Sequence, residues 1–523
     1  MSSDRFQHRR SIVKAGLAAG SLFLPLPYAW VWAQQSEGAL KLVRVPKIAL
    51  VIGNTKYPEA PLKNPGNDAK GIAEELQKLG FKVNLKLDAG RNDMIEAIRA
   101  FGAELGKKKG VGVFYYAGHG AQLAWKNYLI PVDADIEKLE DMQTKTVELN
   151  SLLEGIVKAQ NPMNVIILDA CRDNPFGSKV NTQQKGLSQF DAPPDSLLAY
   201  ATSPGNTAAD GDGANGLYTE NLLREIKVPE ARIEDVFKRV RLAVRRKTEG
   251  QQIPWESTSL EEDFWFIPPK EIRRLSEEEQ ERLFKEELAL WERIKESKTP
   301  APLEDYLRRY PSGNYSELAQ LQLERVLARQ GEKKIQIASA AGNPFTKGSA
   351  FTRIANVGDT YTYRVIGIIT KTVKPDYSVT VTQVTDTEVI HDSGLITDLL
   401  GNQLRSRFGN VNSPTQLVPQ EFAVGKRWSS RYTVTDRKGA TFNSEQDFRI
   451  VAREMIEVPA GTFNAFLIDG RGRNTNPAGP VEFTVRRWYV PEFQRPVVRE
   501  QIDRRGDKVT FAERLELMSY KLA

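Results

Sequence analysis

Between Lys47 and Pro268, apolar runs alternate with amphipathic stretches, and that alternation restricts the fold more than any other property of this 523-residue chain. "KIALVIGN", "GVGVFYYAG" and "NVIILDA" are apolar along most of their length, as strands covered on both faces must be. "FKVNLKLD" alternates and "SLLAYAT" is a further strand. The segments between them have helical periodicity. "NDAKGIAEELQKLG" puts Ile72, Leu76 and Leu79 on one face, with Asn67 or Asp68 as N-cap and Gly80 closing the helix. "NDMIEAIRAFGAEL" does the same with Ile95, Ile98, Phe101 and Leu105, and "VELNSLLEGIVKAQ", "LYTENLLREI" and "IEDVFKRVRLAVRRK" complete the series. The pattern predicts an α/β domain with a mostly parallel sheet flanked by helices on both faces. Functional residues of such sheets gather just beyond the carboxyl ends of the strands, which is where His119 and Cys171 fall.

The chain is too long for one core. We divide it into a leader (1–33), the α/β domain (45–268), a helical repeat-like segment (272–330), a linker (331–350) and a β-rich accessory domain (351–523). The helical segment opens on a capping box, Ser276 with Glu279, and runs on through Leu283, Leu288 and Trp291 to a break at Pro311-Ser312-Gly313. The β-rich part alternates as a β-sandwich or curved sheet would. In the leader, Arg9-Arg10 precede an apolar stretch interrupted by Pro25 and Pro27 and small-residue spacing at Val31 and Ala33, the pattern of a twin-arginine export signal. The expected location is therefore periplasmic or secreted, with no stable membrane span once the signal is removed. The formal net charge is +6, and Arg5, Arg9, Arg10 and Lys14 against Asp4 account for half of it. What is left is too diffuse for a nucleic-acid binder.

The chain has three histidines and a single cysteine, so an intramolecular disulfide is excluded. A free thiol with an ordinary pKa needs a base or a charge partner to act as a nucleophile. His119, the only histidine of the α/β region, stands between Gly118 and Gly120 at the end of an apolar strand. His391 lies in the β-rich part and reads as a surface or strand-edge residue. No zinc spacing, phosphate loop or dinucleotide fingerprint is present. "DGDGANG" (Asp210 to Gly216) misses the EF-hand register and reads as a loop near the substrate groove. "FGSKVNTQQKGLSQFDAPPD" reads as an exposed loop.

"YYAGHG" and "ILDACRDNPF" together resemble the two catalytic signatures of the caspase-like cysteine peptidases, nearer the metacaspase and bacterial caspase-like branch (peptidase family C14) than the animal caspases. A histidine about 50 residues upstream of the cysteine is a caspase pattern, and "ALVIGN", "LKNPGNDAKGIAEELQKLGF" and "YATSPGNTAADG" fall in matching order. The resemblance covers about Val45 to Pro268. It implies a cysteine-type endopeptidase with Cys171 as nucleophile, His119 as general base or acid, and the N–H groups of Gly120 and Cys171 as the oxyanion hole. It implies no organic cofactor and no metal. Calcium activation, frequent among metacaspases, is left open.

The resemblance also bears on specificity. Asp169, two residues before the cysteine, stands where animal caspases carry Gln, and metacaspases pair such an aspartate with one in the early Asn-Asp motif, here Asp68. Two carboxylates in a pocket favour Arg or Lys before the scissile bond and repel Asp. The competing reading for Asp68 is a plain helix N-cap, and for Asp169 a structural hydrogen bond. Lys179 and Lys185 lie where such an enzyme could cut itself. The chain departs from the family after the cysteine: Cys-Arg-Asp-Asn replaces Cys-Arg-Gly or Cys-His-Ser, which leaves the roles of Arg172 and Asp173 open. The expected partner is a protein or peptide substrate, with an envelope partner for the β-rich domain and no nucleic acid. Two rivals stay in view, a catalytically silent binding protein of the cell envelope and a thiol amidase or transpeptidase.

Overall fold

The computed structural model describes residues 37–170, 176, 180, 185–206, 208, 213–273, 275–476 and 479–523. Cys171, Arg172, Asp173, Lys179, the leader and Asp210 to Asp212 lie outside the described residues.

The first domain is built on a six-stranded sheet of β1 (Lys47–Gly53), β2 (Lys82–Leu87), β3 (Val111–Ala117), β7 (Met163–Asp169), β8 (Ser196–Tyr200) and β9 (Trp255–Thr258). Their order is β2-β1-β3-β7-β8-β9, parallel throughout except for β9 on β8. The intervening β4 (Gly120–Leu123), β5 (Lys126–Leu129) and β6 (Val147–Glu148) form a separate small sheet. Helices α1 (Pro65–Lys78), α4 (Leu217–Glu225) and α5 (Ile233–Lys247) pack on one face with Val51, Val113, Tyr115 and Val165. Helices α2 (Arg91–Lys108) and α3 (Leu149–Ala159) cover the other with Leu50, Phe114, Tyr116 and Ile166. The apolar runs are continuous because both faces are buried, and neighbours in β3 belong to different cores.

α1 begins one turn earlier than expected. Asn64 is its N-cap residue and Pro65 fills the first turn, so neither Asn67 nor Asp68 caps it. Gly80 closes it at φ +85°. The polar stretch after the cysteine also departs from expectation: Phe176, Val180 and Gly186 to Phe190 are buried, and Leu187 and Phe190 join the core of the α2 face. Apolar residues spaced among polar ones anchor its described residues as no freely exposed loop would be.

Helix α6 (Glu277–Ile294) carries the capping box at Ser276 and Glu279. It buries Phe284 and Trp291 against α7 (Pro300–Arg309) and α8 (Ser316–Arg329), while Leu283 faces solvent. These helices wedge between the α/β domain and the C-terminal part. Arg241 of α5 pairs with Glu256 at 2.8 Å and with Glu421 of the C-terminal part at 3.4 Å. Arg245 meets Glu332 at 2.6 Å, just past α8.

The C-terminal part is a closed barrel, not a sandwich. After the short β10 (Ser349–Phe351), strands β11 (Thr360–Gly367) to β16 (Val411–Asn412) and β18 (Arg427–Thr435) to β23 (Lys508–Lys521) follow one another around it, and β23 pairs back onto β11. β17 (Glu421–Ala423) pairs with β10 outside the barrel. Closure satisfies the edges that an open sheet would expose. The alternation of polar and apolar residues is the same for either architecture, so the sequence does not separate them.

His391 is not at the surface. It is 3% exposed at the end of β13 (Glu388–His391). Its Nδ1 lies 3.1 Å from the carbonyl oxygen of Leu395, which can only accept, so Nδ1 carries the proton. Its Nε2 then accepts from Arg495 Nη2 at 2.6 Å. Burial and the Arg495 charge lower its pKa to about 4. The unfolded chain, with a histidine near 6.5, takes up this proton first. Stability from neutral His391 is therefore complete above pH about 6.5 and is lost as pH falls toward 4, by at most about 3 kcal/mol. Asp398, raised to about 7 by burial, works in the opposite sense. Subtracting the unfolding profile of His391→Gln from that of the wild type should isolate the histidine: the wild type loses ground between pH 6.5 and 4. Parallel profiles would contradict this.

Candidate functional site

The site begins with the register of two strands. β3 and β7 run parallel with Ala117 opposite Asp169, and Gly118 N–H reaches the carbonyl of Asp169 at 3.4 Å. The chain leading to His119 and the chain leading to Cys171 therefore leave the sheet side by side. Gly120 opens the β4–β5 hairpin against the end of β7, and a Cβ there would lie 3.1 Å from Leu187 Cδ2 and 3.2 Å from Ala170 Cβ. Ala170 is the residue to which Cys171 is bonded. At Gly118 a Cβ would stand 2.6 Å from Tyr57 Oη and 2.8 Å from Tyr116 Oη. The two glycines make room on opposite sides of the histidine.

Two buried phenols hold the backbone of His119. Its N–H donates to Tyr57 Oη at 3.0 Å, and its carbonyl accepts from Tyr116 Oη at 2.7 Å. Both hydroxyls also lie 3.0 Å from the carbonyl of Ile130, and Ile130 N–H returns to the His119 carbonyl at 3.1 Å. Burial raises the Tyr57 pKa to about 12 and pushes Tyr116 up as well, so both stay protonated. Tyr57 is brought there by Asn54, which is fully buried. Asn54 N–H bonds Ala117 and its side chain bonds Ala89 and Ile130.

The ring of His119 lies 4.4 Å from that of Tyr57, and its Nε2 is 2.7 Å from the carbonyl oxygen of Ala60. A carbonyl only accepts, so Nε2 carries the proton and Nδ1 is the acceptor atom of the neutral ring. A backbone carbonyl thus does for this imidazole what a carboxylate does in a Ser-His-Asp triad, fixing tautomer and orientation.

The next residue along β3 serves a second cluster. Side chains alternate faces along a strand, so Tyr115 points away from Tyr116 and meets Thr219 of α4 at 2.6 Å. Thr219 Oγ1 donates to Asp169 Oδ2 at 2.7 Å, which makes Tyr115 the donor to Thr219. Burial, followed by the charges of Asp169 and Asp68, raises the Tyr115 pKa. Both aspartates therefore lie within electrostatic reach of one phenol. Asp68 is 3% exposed, and its Oδ1 accepts from Gly216 N at 2.8 Å and Asn215 Nδ2 at 2.9 Å. Asn215 and Gly216 belong to the glycine-rich loop and anchor Asp68 there. Lys185 is exposed, and its carbonyl accepts from Gln122 Nε2 at 2.8 Å.

The structure thus gathers His119, Gly120 and Ala170 at one strand end and Asp68 and Asp169 around Tyr115 beside it. Sequence reasoning missed Tyr57, Tyr115, Tyr116 and Thr219. The adjacent tyrosines before Ala-Gly-His-Gly were a readable signal, because consecutive strand residues must serve opposite faces. Among the described residues no group of His, Cys, Asp and Glu could hold a metal, and no helix is long and apolar enough to cross a membrane.

Residues 46–265 match the family described as caspase domain, peptidase C14. The human mucosa-associated lymphoid tissue lymphoma translocation protein 1 and its mouse homolog are each 32% identical over 182 residues, 34% of this chain and 21% of theirs. The chain thus spans about a fifth of the length of these curated relatives. Among solved structures, the Drosophila initiator caspase Dronc matches with 15% identity and a TM-score of 0.32, over 42% of this chain and 83% of that one. Residues 46–265 are thus similar to a caspase domain, and the helical segment and barrel lie outside the match.

Tyr57→Phe removes the acceptor of a buried N–H and should cost about 1–3 kcal/mol. Denaturant unfolding would check this, with a change below about 0.5 kcal/mol contradicting it. Nitrogen NMR of the imidazole should find His119 protonated at Nε2 at neutral pH.

Proposed function

We propose that the chain is an exported cysteine endopeptidase that hydrolyses peptide bonds after Arg or Lys. The observation that carries this reading is the orientation of His119: Nε2–H is committed to the Ala60 carbonyl, which leaves Nδ1 as the base, on a strand whose neighbour leads directly to the only cysteine. The caspase-domain match over residues 46–265 supports the same chemistry.

In this mechanism His119 Nδ1 takes the proton of the Cys171 thiol. The thiolate attacks the substrate carbonyl carbon, a C–S bond forms, and the oxyanion is met by the N–H groups of Gly120 and Cys171. The C–N bond then breaks, and His119 gives its proton to the leaving amine. Water attacks the thioester, loses a proton to His119 and releases the acid, and that proton returns to sulfur. No organic cofactor enters any step. The phenols of Tyr57 and Tyr116 act as positioning groups for the His119 backbone.

Asp68 and Asp169 supply the pocket for the residue before the scissile bond, and a guanidinium would engage carboxylates there through paired hydrogen bonds. A basic-specific enzyme of this kind would process itself after Lys179 or Lys185. The twin-arginine leader would deliver the folded chain to the periplasm, where the barrel meets an envelope partner.

Fluorogenic peptides ending in Arg, Lys or Asp, with and without calcium, test this reading. The expected result is turnover of the Arg and Lys peptides, abolished by Cys171→Ala, with Asp169→Asn lowering kcat/KM for Arg about 10²-fold. Turnover of the Asp peptide alone would overturn the acidic pocket. A folded, thiol-reactive protein that cleaves none would overturn the peptidase reading in favour of a binding protein.

A further inference from the structure

Four exposed apolar side chains stand at one end of the barrel. Neighbouring barrel strands alternate in direction, so β11, β15 (Gln403–Arg405) and β18 all end at the same rim. Three turns leave that rim, at residues 368–376, 406–410 and 436–440. Ile369 and Val373 of the first are 64% and 60% exposed, and Phe408 and Val411, on and just after the second, are 60% and 50% exposed. Single exposed hydrophobics are ordinary, but a group of them on adjoining turns marks a contact surface.

The turns adjoin one another. The Arg407 guanidinium lies 3.7 Å from the ring centre of Tyr377, where the first turn enters β12 (Tyr377–Val384). A Cβ on Gly409 would stand 3.0 Å from Arg437 Nε of the third turn. Backbone hydrogen bonds hold the apolar tips out. Gly367 N–H donates to the Thr372 carbonyl at 2.8 Å and Lys374 N–H to that of Val365 at 2.9 Å. Ser406 N–H donates to the Asn410 carbonyl and Gly409 N–H to the Ser406 carbonyl, both at 2.8 Å, with Phe408 at the tip.

The charge on these turns is one-sided. Asp376 pairs with Arg364 at 2.9 Å, and Lys374 pairs with Glu513. Lys371, Arg405, Arg407, Arg437 and Lys438 form no ion pair among the described residues. Asp436 is the one other carboxylate on the three turns, and it accepts the N–H groups of Lys438 and Ala440 at 2.8 and 2.9 Å. The opposite end of the barrel is engaged. Asp386, just past β12, meets Lys298, Arg325 and Arg329 of the helical segment at 3.2, 3.1 and 2.9 Å. Arg427, at the start of β18, donates to the Glu261 carbonyl of the α/β domain.

Protruding apolar residues interleaved with cations match a bilayer whose surface is anionic. The apolar tips enter the interface, and the Lys and Arg side chains meet lipid phosphates. A protein partner would need a socket shaped to each tip, whereas a fluid interface accepts the tips as they stand. We propose that this rim docks the protein on a membrane surface rich in anionic phospholipid. The proposal gives a chemistry to the envelope partner of the barrel and rests on that part of the reading above. It needs nothing from the peptidase chemistry.

Sedimentation of the full chain with vesicles tests it. At low salt, equimolar phosphatidylglycerol and phosphatidylcholine should bind the wild type at least about tenfold better than phosphatidylcholine alone, and added salt should shrink the difference. Ile369→Ser combined with Phe408→Ser should weaken binding to the anionic vesicles about tenfold. Lys371→Gln and Lys438→Gln should each weaken it about fivefold. All these proteins carry the same leader, so the differences belong to the rim. Equal binding to both vesicle types, or anionic binding that survives the paired serine substitutions, would overturn the proposal. A chain that ignores vesicles but is retained by immobilised polyglutamate would overturn it in favour of an acidic protein partner. Vesicle binding of the predicted kind without peptide turnover would leave the rim standing and overturn the peptidase reading alone. Turnover without vesicle binding would do the reverse.

Discussion

The parallel pairing of Val111–Ala117 with Met163–Asp169 puts Ala117 opposite Asp169, and the rest of the site depends on that register. A slip of one residue would exchange the two faces of either strand. Tyr116 would then leave the His119 carbonyl, and Asp169 would leave Thr219. The pairing is held from both sides, since each strand contributes alternate side chains to two separate cores. A fully buried central sheet is an appropriate base for this chemistry, because catalytic groups must be held within fractions of an ångström.

On that base the histidine is fixed by groups that do not titrate near neutrality. Two phenols with raised pKa values grip its backbone, and a carbonyl rather than a carboxylate orients its ring. The negative charge of the site lies instead on the opposite face of β3, around Tyr115. Consecutive tyrosines of one strand thus serve His119 and the acidic cluster, one each.

Much of this was legible in the sequence, for identifiable reasons. Continuous apolar runs specify strands buried on both faces, and glycines beside a histidine at a strand end point to close packing there. What was not legible depended on long-range contacts. Asp68 reads equally well as an N-cap until Asn64 is seen to hold that position and Asn215 and Gly216 are seen to bond its carboxylate. A barrel and a sandwich share one polar–apolar alternation, and only the pairing of β23 with β11 tells them apart. His391 carries no local mark of burial, because Arg495, its partner, is about a hundred residues away. Residues 331–350 are polar and irregular and read as a linker. Their hydrogen bonds to Pro204, Gln189 and Asp191 are what tie them to the α/β domain.

The central claim is that His119 activates Cys171 beside an acidic pocket, and covalent capture tests it most directly. The full chain would be treated with a peptidyl-Arg acyloxymethyl ketone, whose carboxylate leaving group is displaced by a thiolate, and its intact mass measured. The account predicts one adduct per chain on Cys171, the only cysteine, formed much more slowly by His119→Ala and by Asp169→Asn. A chain whose Cys171 is alkylated by iodoacetamide but ignores the Arg reagent, or takes it equally fast in all three proteins, would contradict the account.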